Sequence, residues 1–259
     1  MLFRNARILP MDGPELPTGY LLTEGKTIKA VGDMQDCPVH TDSIDLEGKL
    51  ILPAFIDAHS HLGMFGDGLS FEGDDGNEET DPVTPHLRAI DAVNPFDRGF
   101  SEALAAGITT VLTGPGSANP VAGEWCAIKT FGGGVDEMLL KASAGMKFAL
   151  GENPKNAYNA KNQSPVTRMA TAAFIREQLK KAKRYMEDLA RAGEEDVDEP
   201  EYDIKCEAMI PVLKGEAKAF FHAHRADDIM TAVRIAREFQ LDCVIVHATE
   251  GYLLSLIHI

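Results

Sequence analysis

The sequence predicts an α/β chain: an incomplete (β/α)8 TIM barrel of about six of its eight units, preceded by a small N-terminal β subdomain. Three observations predict it. From Phe55 onward short apolar strands alternate with helical segments, the pattern of repeated βα units on a parallel sheet. Residues 1–52 instead break into β-like pieces cut by Gly and Pro, which suggests a small antiparallel unit. Six βα-type strands are spelled out before Leu253, so a barrel would lack its last two units. A complete doubly wound fold is the competing architecture, but Gly114-Pro115-Gly116 lacks the third spaced glycine of a dinucleotide fingerprint.

Taken in order, LFRNARIL, GYLLTEGKTIKAVGD and SIDLEGKLILP supply the strands of the first subdomain, residues 1–53. The barrel portion, 54–253, opens with a strand from Phe55 to His59. Asn94-Pro95 reads as an N-cap and first helical position, and Gly107 closes that helix before the strand ITTVLT. CAIKTF and MKFALG read as a third and fourth strand. After Ser164-Pro165 comes the clearest helix, Val166 to Ala192, with Phe174, Leu179, Tyr185, Met186 and Leu189 among many charges. The acidic stretch GEEDVDEPEYD reads as a solvated surface turn. A helix over Ile204–Leu213, the strand KAFFHAH, a helix over Asp227–Phe239 and the strand CVIVHAT complete the series. The last six residues, LSLIHI at 254–259, equal a translation of CTG TCT CTT ATA CAC ATC, a transposon end used as a library adapter. They are expected to be a non-native tail on a C-terminally truncated fragment, so His258 is excluded as a ligand.

At 259 residues the chain is long enough to bury a sizeable core. Its 25 Lys and Arg face 40 Asp and Glu, a net charge of -15 that repels nucleic acid and anionic membranes, and no basic patch offsets it. Cys37, Cys126, Cys206 and Cys243 are scattered and suggest neither a disulfide framework nor a cysteine zinc site, so a reducing cytoplasm is expected. Pro10 and Gly13 interrupt the N-terminus before a signal-peptide core develops, and no apolar run approaches the roughly 18 residues of a membrane span.

The chemistry-bearing residues gather at predicted strand ends. His59 and His61, at i and i+2 on a strand, face one side about 6.6 Å apart and can converge on an ion where the chain curls. Alone the pair is equally an ordinary polar strand end. His222 and His247 each end a later strand, on the rim where barrel enzymes build their sites. GENPK adds Glu152, either a carboxylate bridging two metals or a helix cap, with Asn153 beside it. Lys155 reads as a substrate-contacting or surface cation rather than a carbamylated ligand.

The run DLEGKLILPAFIDAHSHL, Asp45 to Leu62, resembles the opening signature of the metal-dependent amidohydrolase superfamily. GITTVLTGPGSANPVAG, GENPK, FFHAHRADDI and VIVHATEG resemble its imidazolonepropionase-related branch. The resemblance spans nearly the whole chain to Leu253. It implies a β-sandwich subdomain ahead of the barrel and a divalent metal, zinc first, with iron, manganese or nickel as options, as one or two ions. It implies His59, His61, His222 and His247 as metal ligands, Glu152 as the bridging carboxylate, and His224 as the catalytic group that polarises a carbonyl or handles protons. Asn153 and Lys155 would bind substrate. Pro53-Ala54 departs mildly from the family's Pro-Gly, and the family's eighth-strand aspartate, ligand and general base, has no counterpart here.

The implied activity is hydrolysis of a C–N bond in an amide or cyclic amide of a small-molecule substrate by metal-activated water. The fragment itself is expected to be inactive, and a homo-oligomer is compatible with the sequence. A non-catalytic scaffold of the same fold and a prolidase-like dipeptidase are the alternatives. The loop GMFGDGLSFEGDDGNEETDP after His61 reads equally as a substrate lid and as a flexible acidic loop, and GPGSANP either presents N–H groups to a substrate carboxylate or simply turns.

Overall fold

A computed structural model describes residues 1–193 and 198–254. Residues 194–197 of the acidic stretch and 255–259 of the tail lie outside the described residues. The chain divides into two compact units, Met1–Phe55 and Ile56–Ile259.

The first unit is a sheet of β1 (Leu2–Ile8), β2 (Leu16–Glu24), β3 (Thr27–Asp33), β4 (Ser43–Asp45) and β5 (Leu50–Ile51). The β1–β2 and β2–β3 pairs are antiparallel as the turn residues suggest, but β4 and β5 pair parallel with β1. The sheet is therefore mixed, not antiparallel. After β3 the chain makes a 3-10 turn at Met34–Asp36 and returns on the far side of β1, running with it. Leu2, Ala6 and Ile8 of β1 form its buried side with Tyr20.

The second unit carries β6 (Phe55–Ser60), α1 (Arg98–Ala105), β7 (Ile108–Thr113), β8 (Val121–Lys129), α2 (Val135–Met138) and β9 (Leu139–Ala149). There follow α3 (Glu152–Asn159), α4 (Arg168–Arg191), α5 (Ile204–Glu207), α6 (Ile210–Leu213), β10 (Lys218–Ala223), α7 (Ala226–Phe239) and β11 (Cys243–His247). Its strands form one sheet in the order β11-β10-β9-β8-β7-β6. All six expected strands are present, but not as six βα units. β9, β10 and β11 are mutually parallel, whereas β8 is antiparallel to both neighbours. The reason is connection length. GPGSANP is too short for the dozen or more residues that a parallel crossover needs, so β7 and β8 can only form a hairpin. The sheet also curls, because His59 on β6 and His247 on β11, at opposite ends of the strand order, place their rings 4.9 Å apart.

Strand alternation sorts the two faces of this sheet. Met146, Phe148 and Leu150 of β9 and its end, with Ala219 and Phe221 of β10, join Ile175 and Leu179 of α4 and Ile235 of α7 in the main core. Each fully buried large side chain there contributes about 1.5–3 kcal/mol. Lys147, Phe220 and His222 consequently lie on the opposite face. Under the histidines, Trp125, Phe220 and Val246 make a second apolar cluster, with Leu112 packed against it.

Helix boundaries shift from expectation at two places. The cap of α1 is Asp97, whose side chain accepts from Gly99 N at 2.6 Å, while Asn94 makes an earlier turn by accepting from Phe96 N. The single helix expected over 204–213 is split into α5 and α6, since Pro211 has no N–H and restarts the helix at its first turn. In α4, Thr167 caps by accepting from Ala170 N, and Thr171, Ile175, Leu179 and Ala182 form the buried stripe. No helix among the described residues is long and apolar enough to cross a membrane.

Candidate metal centre

Four strands deliver histidine or lysine to one place. β6 and its end bring His59 and His61, with rings 5.2 Å apart; β10 and its end bring His222 and His224, 4.7 Å apart; β11 brings His247. The His247 ring lies 4.9 Å from His59 and 4.6 Å from both His222 and His224. One ring nitrogen each from His222, His224 and His247 fall within 4.8 Å of one another. The fourth contributor is Lys147 of β9, 1% exposed, whose Nζ lies 3.2 Å from His59 Nε2 and 4.6 Å from the centre of the Trp125 ring.

His247 enters the cluster by breaking the strand's own rule. It pairs with Ala223, on the parity that faces the helices, whereas Val246 pairs with His222. A left-handed backbone at His247, φ 72, followed by Ala248 at φ 48, turns the ring to the histidine side. Non-glycine residues pay roughly 1–2 kcal/mol each for that conformation, and such strain is concentrated at functional sites.

Electrostatically the site is a set of neutral imidazoles. Burial first, then Lys147, His61 and His247, push His59 down to about 4. Burial, then Lys147, His247, His224 and His59, push His222 down to about 3. Burial also lowers His61 and His247. Desolvation alone pushes Lys147 down to about 7. His61 Nδ1 lies 2.6 Å from the Gly114 carbonyl, which only accepts, so the ring donates there and its Nε2 keeps a lone pair.

The residues of GENPK are engaged with other partners. Glu152 is exposed at the first position of α3, where its charge acts on Arg168; the group of mutually close nitrogens on His222, His224 and His247 includes neither it nor His59 and His61, which join the cluster through ring contacts. Asn153 Nδ2 donates to Ser117 Oγ at 2.7 Å, and Lys155 is half-buried on the same helix. The fourth-strand residue that does reach the histidines, Lys147, was missed by sequence reasoning. Its signal was present in MKFAL, a lysine inside a fully buried apolar run, which is costly unless the lysine has work to do.

The two loops read as turns or substrate contacts clasp each other. Gly116 N donates to Gly76 O at 2.7 Å, Ala118 N to Asn77 Oδ1, and Asn119 Nδ2 to Glu78 O at 2.6 Å. The N–H groups of Gly116 and Ala118 are thus spent on the acidic loop. That loop lines a cleft of about 830 Å³ with Asp74, Asp75, Glu78 and Glu79; the cleft includes none of the five clustered histidines but adjoins them through Phe65, whose ring is 6.0 Å from His61. Gly114 is required by close approach, because a Cβ there would stand 1.8 Å from the Trp125 ring.

No family model matches the chain. Among curated proteins it is similar to Amidohydrolase tasK of Hapsidospora irregularis, 32% identical over 243 residues, which cover 85% of this chain and 25% of that protein. Imidazolonepropionase of Streptomyces coelicolor is 25% identical over 160 residues, 56% of this chain and 41% of that protein. The crystal structure of an amidohydrolase from Thermotoga maritima superposes with a TM-score of 0.93 at 44% identity, over 99% of this chain and 66% of that one. The chain belongs to the amidohydrolase superfamily. It is related to the imidazolonepropionases, and it spans a quarter of the tasK protein's length and 66% of the Thermotoga chain.

The donor set of the chain fits a divalent ion. It offers imidazole nitrogens that are neutral at pH 7, and His222 Nδ1 is buried without a hydrogen-bond partner, a costly state in a residue only 4% exposed.

Proposed function

We propose that this amidohydrolase hydrolyses the C–N bond of a small-molecule amide or cyclic amide at a divalent metal held by His59, His61, His222, His247 and a carbamylated Lys147. The observation that carries the reading is the convergence of neutral imidazoles on a buried lysine that has no carboxylate partner among the described residues. Zinc is the first choice, as one or two ions, and iron, manganese or nickel suit the same nitrogen and oxygen donors. An ion there supplies Lewis acidity, lowering the pKa of water toward neutrality and polarising a carbonyl.

As an ammonium, Lys147 donates to the His59 Nε2 lone pair that a ligand role needs. As a neutral amine it adds to carbon dioxide: the N–C bond forms, one proton leaves to water, and a carbamate anion replaces the cation. Between the two candidate bridging groups this favours Lys147, since Glu152 is exposed beside Arg168. The Gly114 carbonyl holds His61 with Nε2 available. His224 donates a hydrogen bond to the substrate carbonyl oxygen as charge develops there. Trp125, Phe220 and Val246 keep water out beneath the reacting bond.

The relation to imidazolonepropionases makes a five-membered cyclic amide the first substrate to test. A scaffold without metal is disfavoured, because desolvating four imidazoles and a lysine weakens a fold that gains nothing from them. The four cysteines are free, which suits the reducing cytoplasm proposed for it. The test is hydrolysis of a panel of cyclic and N-acyl amides by zinc-loaded protein. Activity is expected to fall at least about 100-fold in Lys147→Met; full activity in that variant, or in stripped protein, contradicts the reading.

A further inference from the structure

We propose that Thr249 is a positioning residue that holds His224 as a hydrogen-bond donor facing the site and keeps it out of the metal's ligand set. The inference rests on the hydrolase reading above for the meaning of a donor, but its geometry stands separately. His224 Nδ1 and Thr249 Oγ1 are 2.6 Å apart. The backbone locks the same pair together: Glu250 N donates to His224 O at 2.8 Å, Ala226 N donates to a Glu250 carboxylate oxygen at 2.8 Å, and Ala248 N donates to Ala223 O at 3.0 Å. What brings Thr249 back over His224 is the left-handed turn at His247 and Ala248, two consecutive strained positions without glycine.

Ring orientation separates ligand from donor. His222 stands at 80° to His224 and 79° to His247, so nitrogens on edge-on rings can converge. His224 and His247 are instead stacked, 7° apart at 4.6 Å. Imidazole lone pairs lie in the ring plane, so two parallel stacked rings cannot aim at one ion. With His247 as a ligand, His224 is excluded although its nitrogen is near enough.

The second-partner chemistry agrees. His61 Nδ1 meets a carbonyl, which compels the ring to donate there and leaves Nε2 bare for a metal. His224 Nδ1 meets a hydroxyl, which can donate to it. With Thr249 as donor, the neutral His224 ring keeps its hydrogen on Nε2, the nitrogen pointing away from Thr249, and that N–H serves a substrate carbonyl.

Two-bond proton–nitrogen spectra of uniformly 15N-labelled chain, in mildly alkaline buffer, read the tautomer directly. Wild type is expected to show His224 protonated at Nε2, Thr249→Val to lose that single tautomer, and Thr249→Ser to restore it. Zinc affinity of stripped chain, by chelator competition, is expected to stay within about twofold in Thr249→Val and His224→Gln and to drop about 10–100-fold in His222→Gln. A wild-type His224 protonated at Nδ1, or His224→Gln weakening zinc as much as His222→Gln, overturns the proposal. If zinc fails to bind wild type at all, the hydrolase reading falls, and the tautomer spectra of the zinc-free chain still decide the role of Thr249.

Discussion

His59 and His222 owe their depressed protonation to burial, and the sign of the consequence follows from it. Their folded values, about 4 and about 3, lie below the ordinary 6.5, so the unfolded chain binds more protons between them. Stability of the metal-free chain should therefore fall as pH drops below 6.5 and continue falling toward pH 4, measured as urea midpoints. His222→Gln should flatten that slope. Lys147 acts at higher pH: with its folded value near 7 and its unfolded value near 10.5, the metal-free chain should gain stability as pH rises through that window. Lys147→Met should raise the metal-free urea midpoint at pH 7 while abolishing metal retention, an opposite movement that simple unfolding would not give. The histidines were legible because i, i+2 spacing and strand-end placement need no tertiary knowledge. The turning of His247 was not legible, since nothing in HATEG resembles the glycine or asparagine that usually marks a left-handed backbone.

At the scale of elements, strand β8 shows where local pattern stops informing. CAIKTF reads as a strand in any fold, and its direction is set only by the brevity of the loop before it. That hairpin positions Trp125 against His59 at 4.6 Å, with its Nε1 donating to Pro115 O at 3.1 Å. Gly114→Ala should push the indole from this seat and cost about 1–3 kcal/mol, read by urea denaturation, with weaker metal binding as a second effect. The helices α4 and α7 are joined by Arg168 and the buried Asp228 at 2.9 Å. Arg168→Ala should cost about 1–3 kcal/mol, less than a fully buried pair because Arg168 is a third exposed. The extent of helix α4 was legible to within about two residues, but of its expected face only Leu179 and Tyr185 are buried, and the Thr167 cap was not foreseen; the α5–α6 break turned on one proline.

For the whole molecule, the six apolar runs of the second sheet were legible, whereas the reversal at β7–β8 and the curling of the sheet that unites its two ends were not. The net charge of -15 is a property of the surface and leaves the histidine site lined by neutral rings and one lysine. A bound ion would link site to fold, stabilising the chain by about 2.7 kcal/mol at a hundredfold excess over its dissociation constant. The most direct test is calorimetric titration of zinc into metal-stripped chain, alongside a His59→Gln/His222→Gln double variant. Saturable binding at one or two ions per chain, lost in the double variant, is the outcome expected. No binding to the wild type, or equal binding to both proteins, would contradict the metal centre described here.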